Sequence, residues 1–262
     1  MPRPSNPSFD TVKNISTYLR IVLTQAGLLL QTLDYYAVKR MVEIDSDDVS
    51  VDEECEDGLA ELFVDGLEAL ATTTGNTEVA PMGSISALFD SGPLQKSLKP
   101  KCYMAMDLRD NAKIVACLVS CKYLKDETLG TQLFTPAFLQ RHKVPRLTEQ
   151  WLFVDVVSSK KAPAGSALLV SSILGAARQK MVGVCLVAVS AHMRDLCKAL
   201  GFSTVQYNDQ GQRFLCYLHL SDLKFEPIMK KLRFPGDKAI VEDICWRFGL
   251  SAKTRERVIG RC

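Results

Sequence analysis

An apolar segment followed by a short polar loop and an apolar helix constrains the fold of this chain more than any other feature. Trp151 to Val157 is an almost continuous apolar run, broken only by Asp155, which is typical of a strand covered on both faces. A Lys/Ala/Pro/Gly loop follows, and Ser166 to Met181 places its apolar residues on one helical stripe. Because several backbone N–H groups and the helix dipole converge on such a loop, the unit predicts a binding site for a phosphate or a carboxylate.

A second strand and helix follow directly. Val184 to Val189 is another fully apolar strand, and Ser190 can cap a helix that Gly201 ends. Thr204 to Tyr207 and Phe214 to Leu220 predict a hairpin around a Gly-containing turn. The second half of the chain therefore reads as strand, helix, strand, helix and hairpin.

The first half predicts a helix and three strands. Apolar residues recur at three- and four-residue steps from Thr11 to Leu33, which indicates an amphipathic helix. Ala37 to Ile44 alternates like a strand. Cys102 to Leu108 and Ile114 to Tyr123 flank the polar turn of residues 109–113, and together they predict an antiparallel hairpin.

The remaining segments give weaker signals. Leu59 to Leu70 has a helical apolar spacing, and Ile85 to Leu98 is a weaker helix candidate. Lys125 to Arg146 is predicted to be a long loop. Phe225 to Cys262 reads as two helices separated by a Pro-Gly pair.

Composition excludes several classes of protein. Of the 262 residues, 47% are hydrophobic and the net charge is +2, with no basic stripe or nucleic-acid-binding motif. Nine cysteines form no CxxC pair and only three histidines are present, so no metal site is expected. Polar residues interrupt the apolar stretch from Ile15 to Leu33, which argues against a membrane span. These features lead us to expect an intracellular protein with reduced thiols.

The run from Glu149 to Gly165, continuing to Gly201-Phe202, resembles the cofactor-binding motif of the GNAT superfamily of acetyl-CoA-dependent N-acetyltransferases. Within that superfamily it is most similar to the histone and protein lysine acetyltransferase branch. The resemblance implies an α/β GNAT fold, with a mixed, mostly antiparallel central sheet flanked by helices. The predicted divisions are a helical extension at 1–35, the acetyltransferase domain at 36–220 with an acidic loop at 43–57, and a C-terminal helical extension at 221–262.

The resemblance also implies catalytic roles. Glu149 takes the general-base position when the final glycine of the motif is placed at Gly165. In a register shifted by one residue that position falls on Gln150, which cannot act as a base, and Pro163 then occupies a free position of the motif. A lysine amine with a pKa of about 10.4 must lose a proton before it attacks a thioester, so a base is needed. A free backbone N–H near Phe153 is implied to polarise the thioester.

Acetyl-CoA is the cofactor that the resemblance implies. Lys160 and Lys161 are expected to neutralise its phosphates, although paired lysines in loops are usually solvated. Pro163 has no N–H to offer, and Cys197 stands where many members carry a tyrosine. Asp155 is a second acidic candidate, which could equally face solvent or satisfy a local backbone group. The implied cofactor contacts are Phe153, Val154, Asp155, Lys160, Lys161, Ala162, Ala164, Gly165, Ser166, Ser190 and Cys197.

Three functions remain open at this point. The first is acetyl transfer to a protein lysine, with a histone tail as a candidate acceptor. The second is acetyl transfer to a small amine, which would need a closed pocket lined by Phe134, Phe138 or Tyr123. The third is a catalytically weak module that docks through its helical extensions to a chromatin or kinetochore assembly. The first and third predict a nuclear rather than a cytoplasmic protein, without direct contact to nucleic acid or membrane.

Overall fold

The computed structural model describes residues 7–33, 101–123, 136–206, 213–232, 238–247 and 249–259, together with Phe63 and Gly66. The predicted strand Ala37 to Ile44, the acidic loop 43–57 and the predicted helix Ile85 to Leu98 lie outside these residues. Of the predicted helix Leu59 to Leu70, only Phe63 and Gly66 are described, and both are helical.

Helices and strands alternate through most of the described chain. The helices are α1 Phe9–Ala26, α2 Pro136–Arg141, α3 Ala164–Arg178, α4 Ala191–Ala199, α5 Phe225–Lys231, α6 Lys238–Arg247 and α7 Ala252–Ile259. The strands are β1 Leu28–Leu33, β2 Lys101–Asp107, β3 Lys113–Lys122, β4 Trp151–Ser159, β5 Gly183–Ala188, β6 Ser203–Gln206 and β7 Phe214–His219. Among the helices of these segments, none is long and apolar enough to cross a bilayer.

The described strands form one sheet in the order β1-β2-β3-β4-β5-β7-β6. Every neighbouring pair is antiparallel except β4 and β5, which run parallel and are joined by α3. Both predicted hairpins, β2–β3 and β6–β7, are present. The prediction of a mixed, mostly antiparallel sheet with flanking helices is therefore confirmed.

The first predicted helix extends beyond the helix that the structure shows. α1 ends at Ala26 because Gly27 takes a left-handed conformation with φ of 66°, and its N–H caps the carbonyls of Leu23 and Thr24. The chain then turns into β1, which pairs along its length with β2. The prediction of helix for Leu28–Leu33 is wrong, because its leucines suit the sheet as well as they suit a helical stripe. The domain boundaries drawn from the sequence stay predictions.

A turn of the β2–β3 hairpin closes over the end of α1. The N–H of Leu108 donates to the carbonyl of Gly27 at 2.8 Å, and the Arg109 guanidinium donates to the carbonyl of Gln25 at 2.5 Å. A Cβ on Gly27 would lie 2.7 Å from Nε of Arg109, so the glycine is also needed for this close approach. The hairpin turn is thus fastened to the first helix.

The larger hydrophobic core lies between the sheet and a layer that contains α1 and α3. Leu168 and Ile173 of α3 are completely buried there. The hydroxyl of Tyr18 on α1 donates to the carbonyl of Leu232, just after α5, and its ring packs edge-on against Phe225 at 5.7 Å. The first helix therefore holds α5 against the rest of the protein.

The C-terminal segment and the segment before β4 contain more helix than predicted. The described part of the tail has three helices, α5 to α7, where the sequence predicted two, and the Pro-Gly pair lies outside the described residues. Cys245 and Leu250 bury their side chains in the larger core. The predicted long loop contains α2, which packs Phe138 and Leu139 against a second, smaller core on the opposite face of the sheet. Short helices of this kind carry too little periodicity to be predicted.

Gly183 begins β5 because nothing larger fits beside Trp151. The Trp151 ring is fully buried, and a Cβ on Gly183 would lie 2.3 Å from its Cζ3 atom. The two residues are direct partners in the parallel ladder. One glycine and one tryptophan therefore pack closely together at the amino ends of β4 and β5.

We predict that Gly183→Ala lowers the free energy of unfolding by about 2 to 3 kcal/mol, because the added methyl group overpacks a filled site. Gly175→Ala is the matched control. Its Cβ would lie 3.4 Å from the Tyr103 hydroxyl, an ordinary contact, and alanine is favoured in a helix by about 0.5 to 1 kcal/mol. Urea denaturation of both variants measures the difference. Equal stabilities would contradict the packing argument.

Candidate active site

The parallel strands β4 and β5 separate at their carboxyl ends. They pair from Trp151 with Gly183 to Val154 with Leu186, and no further. β4 then continues to Ser159 beside β3 alone, and β5 continues to Ala188 beside β7 alone. The gap between residues 155–159 and residues 187–190 is called the splayed cleft below. It leaves one edge of β4 without a neighbouring strand among the described residues.

A β-bulge places Asp155 where the cleft begins. On β3, Val119 pairs with Val156 and Ser120 pairs with Val154, so Asp155 is the extra residue on β4. A bulge bends its strand and increases the local twist. The bulge therefore accounts for the separation of β4 from β5 and sets an acidic side chain at the vertex of the cleft.

The Asp155 carboxyl is accessible to solvent but surrounded by protein. Its side chain is exposed, yet burial among neighbouring atoms raises its pKa to about 6. Burial also raises the pKa of Cys121 to about 12, with a smaller contribution from the negative charge of Asp155. Because Cys121 belongs to the smaller core, Asp155 lies on that face of the sheet.

The loop after β4 is hydrogen-bonded within itself. The Ser159 hydroxyl accepts the N–H of Gly165 at 3.1 Å and donates to the carbonyl of Lys161 at 3.1 Å. The N–H of Ala164 also donates to that carbonyl, at 2.9 Å, and Pro163 has no N–H. Three consecutive positions at the start of α3 therefore offer no N–H to an anion in this conformation.

The two lysines of the loop differ in their surroundings. Lys161 Nζ donates to Oδ2 of Asp107 at the end of β2, whose carboxyl is almost inaccessible to solvent. The N–H of Arg109 donates to the other oxygen of Asp107 at 3.1 Å. The hydrogen bond from Lys161 holds the pKa of Asp107 below its usual range. Lys160 is exposed, so of the two it is the better placed to meet an external anion.

Gly165 leaves little room for a larger side chain. A Cβ there would lie 2.7 Å from the Cβ of Ser159, whose hydroxyl accepts the N–H of Gly165. Ala167, one position further than Ser166, is completely buried. The register of the motif, and with it the choice between Glu149 and Gln150 at the base position, stays a prediction.

Glu149 and Phe153 lie at different places relative to the cleft. Glu149 is exposed in the turn that precedes β4, at the closed end of the parallel pair. Phe153 lies within the paired part of β4, with Cys121 as its Cα partner on one side and Cys185 on the other. The catalytic roles that the sequence resemblance implies for these two residues stay predictions.

Of the remaining predicted contacts, two have buried side chains and two use their hydroxyl groups in local hydrogen bonds. Cys197 is completely buried in the larger core, where a hydrogen bond with Cys216 and burial raise its pKa, so it does not line the cleft. Val154 is also buried, and only its backbone can border the cleft. Ser190 is exposed at the end of β5, where its hydroxyl accepts the N–H of Met193 at 3.2 Å. Ser166 donates its hydroxyl to the carbonyl of Pro163 at 2.8 Å.

Two residues of the site carried no signal in the sequence. Asp107 contacts Lys161 across 54 positions of sequence, and Ser159 reads as an ordinary end of a strand. Asp155 was identified, but only as a second acidic candidate, because the bulge depends on strand pairing. Among the described residues, no group of three His, Cys, Asp or Glu side chains could hold a metal ion.

Comparisons with known proteins give only distant similarity. No protein-family model matches the sequence, and no curated protein matches it. A GNAT-family acetyltransferase from Staphylococcus aureus superimposes with a TM-score of 0.42 at 10% identity, over 73% of this chain and 99% of that one. The NatC complex bound to Gag peptide and CoA gives 0.35 at 11%, over 73% and 98%. The condensation domain of Ebony, in complex with beta-alanyl-dopamine, gives 0.41 at 9%, over 73% and 98%.

We predict that Asp155 titrates with a pKa of about 6, measured by carboxyl ¹³C NMR. Its pKa in the unfolded chain is about 3.9, so between these values the folded protein holds a proton that the unfolded chain has released. Raising the pH through this window therefore lowers the contribution of Asp155 to stability. A titration near pH 4 would contradict the surrounded position of the carboxyl.

Proposed function

We propose that this protein is an acetyl-CoA-dependent N-acetyltransferase that acts on a lysine in a protein, with histone tails as the first candidates. The observation that carries the proposal is the cleft between two parallel strands that separate at Asp155. A loop and the start of α3 lie directly beyond it. The sequence resemblance of the same segment to GNAT acetyltransferases supports this reading.

The open edge of β4 fits the extended arm of the cofactor. Backbone N–H and C=O groups between Asp155 and Ser159 have no partner strand on the β5 side among the described residues. An extended chain with amide groups can pair with such an edge as an added strand does. The pantetheine arm of CoA has two amides and fits this description. When bound, acetyl-CoA supplies an acetyl group activated as a thioester.

The loop fits the phosphates of the cofactor less directly. The N–H groups of Ala164 and Gly165 are already bonded within the protein, as described above. Lys160 is exposed in the loop after β4 and can approach a phosphate as a mobile cation. Binding of CoA is therefore expected to depend on the strand edge and on Lys160, more than on the first amides of α3.

Asp155 is proposed to accept the proton that the acceptor amine must lose. At neutral pH a lysine amine is almost entirely protonated, since its pKa is about 10.4. A carboxyl with a pKa of about 6 is mostly ionised at pH 7 and is a stronger base than an ordinary aspartate. Its place at the vertex of the cleft puts it beside the expected position of the thioester.

Packing on the face of Asp155 favours a protein acceptor over a small amine. Tyr123 is buried, and its ring contacts Phe153 at a centroid distance of 6.2 Å. Phe138 packs against His142 at 4.6 Å and joins the smaller core. Tyr123 is buried and Phe138 is half-buried against the smaller core, while Phe134 lies outside the described residues. A long substrate that enters from solvent suits this surface better, and a histone acceptor would make the protein nuclear.

A catalytically weak module is the second candidate, and the internal hydrogen bonds of the loop favour it. Bonds already made by Ala164 and Gly165 would have to be exchanged for bonds to a phosphate. Docking of the terminal helices to a chromatin or kinetochore assembly stays a prediction. Calorimetry separates the two candidates, because a module of this kind would bind no CoA at millimolar concentration.

We predict that Asp155→Asn lowers kcat for acetylation of histone peptides by about 10²- to 10⁴-fold, since it removes the proposed base. Glu149→Gln removes an equal charge at the far end of the strand and should change kcat less than twofold. The pH–rate profile of the unmodified enzyme should fall with a pKa of about 6 on its acidic side. Loss of activity in Glu149→Gln alone would assign the base to Glu149 instead.

We further predict that peptides with an internal lysine are acetylated faster than spermidine or an arylamine at equal concentration. The reason is the exposed position of Asp155, which a lysine that projects from a peptide can approach from solvent. Mass spectrometry of mixed histones and of the amine panel measures the acceptor preference. Faster transfer to a small amine would replace the proposed acceptor class.

A further inference from the structure

We infer that Asp107 is a positioning residue for the donor side of the cleft, and that Lys161 serves the protein rather than the ligand. The ion pair between them fixes the loop from which α3 begins. This inference rests on the proposed function. It concerns a residue on β2, which lies two strands away from β4 in the sheet.

The order of the strands determines the direction in which Lys161 points. Asp107 lies at the end of β2, and β3 separates β2 from β4. The splayed cleft opens on the other side of β4, toward β5. Neighbouring strands are about 4.8 Å apart, so the ammonium group is drawn toward a carboxylate about 10 Å from β4 on the side away from the cleft. While it is bonded to Asp107, the ammonium group is directed away from the cleft.

A chain of hydrogen bonds connects this ion pair to the start of α3. The carbonyl of Lys161 accepts both the N–H of Ala164 and the hydroxyl of Ser159. Ser159 in turn accepts the N–H of Gly165. Holding the side chain of Lys161 therefore holds its carbonyl, and the carbonyl orients the first residues of the helix.

The carboxyl of Asp107 needs this partner. Its side chain is 6% exposed, and the oxygen that does not meet Lys161 accepts the N–H of Arg109. Lys113 is its Cα partner across the hairpin. The Lys161 side chain is 38% exposed, so solvent screens part of the attraction, but the carboxyl itself has little access to water and depends on these partners. Removing either one is expected to release the loop.

The test compares two donors in the full-length protein, acetyl-CoA and S-acetylpantetheine, which lacks the phosphates. With Asp107→Asn, we expect KM for acetyl-CoA to rise at least about fivefold while kcat stays within about twofold. KM for S-acetylpantetheine should stay unchanged. If Lys161 were a phosphate ligand, the same variant would free it and lower KM for acetyl-CoA, which would overturn the inference. An unchanged KM would overturn it too.

A double-mutant cycle separates positioning from direct contact. Lys161→Met and the double variant with Asp107→Asn should raise KM for acetyl-CoA as much as Asp107→Asn does alone, because all three break one ion pair. Additive effects would overturn the inference. Asp110→Asn removes an equal charge from the adjacent exposed turn and is expected to leave both KM values unchanged. If a single variant does not fold, the double variant, which leaves no unpaired charge, carries the measurement.

Failure of the proposed function gives a different result. It would appear as absence of transfer from both donors by the unmodified protein, whatever acceptor is offered. The inference alone fails when the unmodified protein uses acetyl-CoA but KM for acetyl-CoA falls in Asp107→Asn. It also fails alone when the changes in KM caused by Asp107→Asn and Lys161→Met are additive in the double variant. Asp107→Glu keeps the charge and should recover part of the lost affinity for acetyl-CoA, which a loss of general stability would not explain.

Discussion

The locked amino ends of β4 and β5 are the constraint on which the site depends. Trp151 and Gly183 fit together so closely that the parallel ladder has one register. The ladder has four pairs, and directly after the fourth the bulge at Asp155 turns β4 away from β5. The two strands are therefore paired at one end and separated at the other. A cleft of defined width follows from these two features. Without the tight pair at the closed end, the bulge would only loosen the sheet.

The open end of the cleft is bordered by groups whose hydrogen bonds are mostly internal. Ser159 and the carbonyl of Lys161 satisfy the first N–H groups of α3, and the larger core holds the body of that helix. Hydrogen bonds and the larger core thus connect the loop, the helix and the sheet. Asp155 differs from them, because its charge has protein around it but remains open to solvent. Rigid surroundings with one titratable group are a suitable arrangement for proton transfer.

The sequence predicted those parts of the fold that depend on local patterns. Apolar runs and turns located both hairpins and the strand–helix–strand unit within one to three residues, because neighbours in sequence determine them. β1 was not predicted, since its leucines continue the apolar spacing of α1 although Gly27, between the two elements, ends the helix. The ion pair of Asp107 with Lys161 depends on which strands are adjacent, and no local pattern contains that information. The bulge at Asp155 depends on the pairing of β3 with β4, which no local pattern contains.

The contact between the hairpin turn and the first helix has a mechanical consequence. Leu108 and Arg109 bond to carbonyls at the end of α1, and Asp107 precedes them directly on β2. α1 is in turn fastened to the segment after α5 through Tyr18. The segment after α5, the first helix, the hairpin turn and the loop before α3 are therefore connected by a continuous series of contacts. The C-terminal part of the chain and the donor side of the cleft thus share one supporting helix, α1.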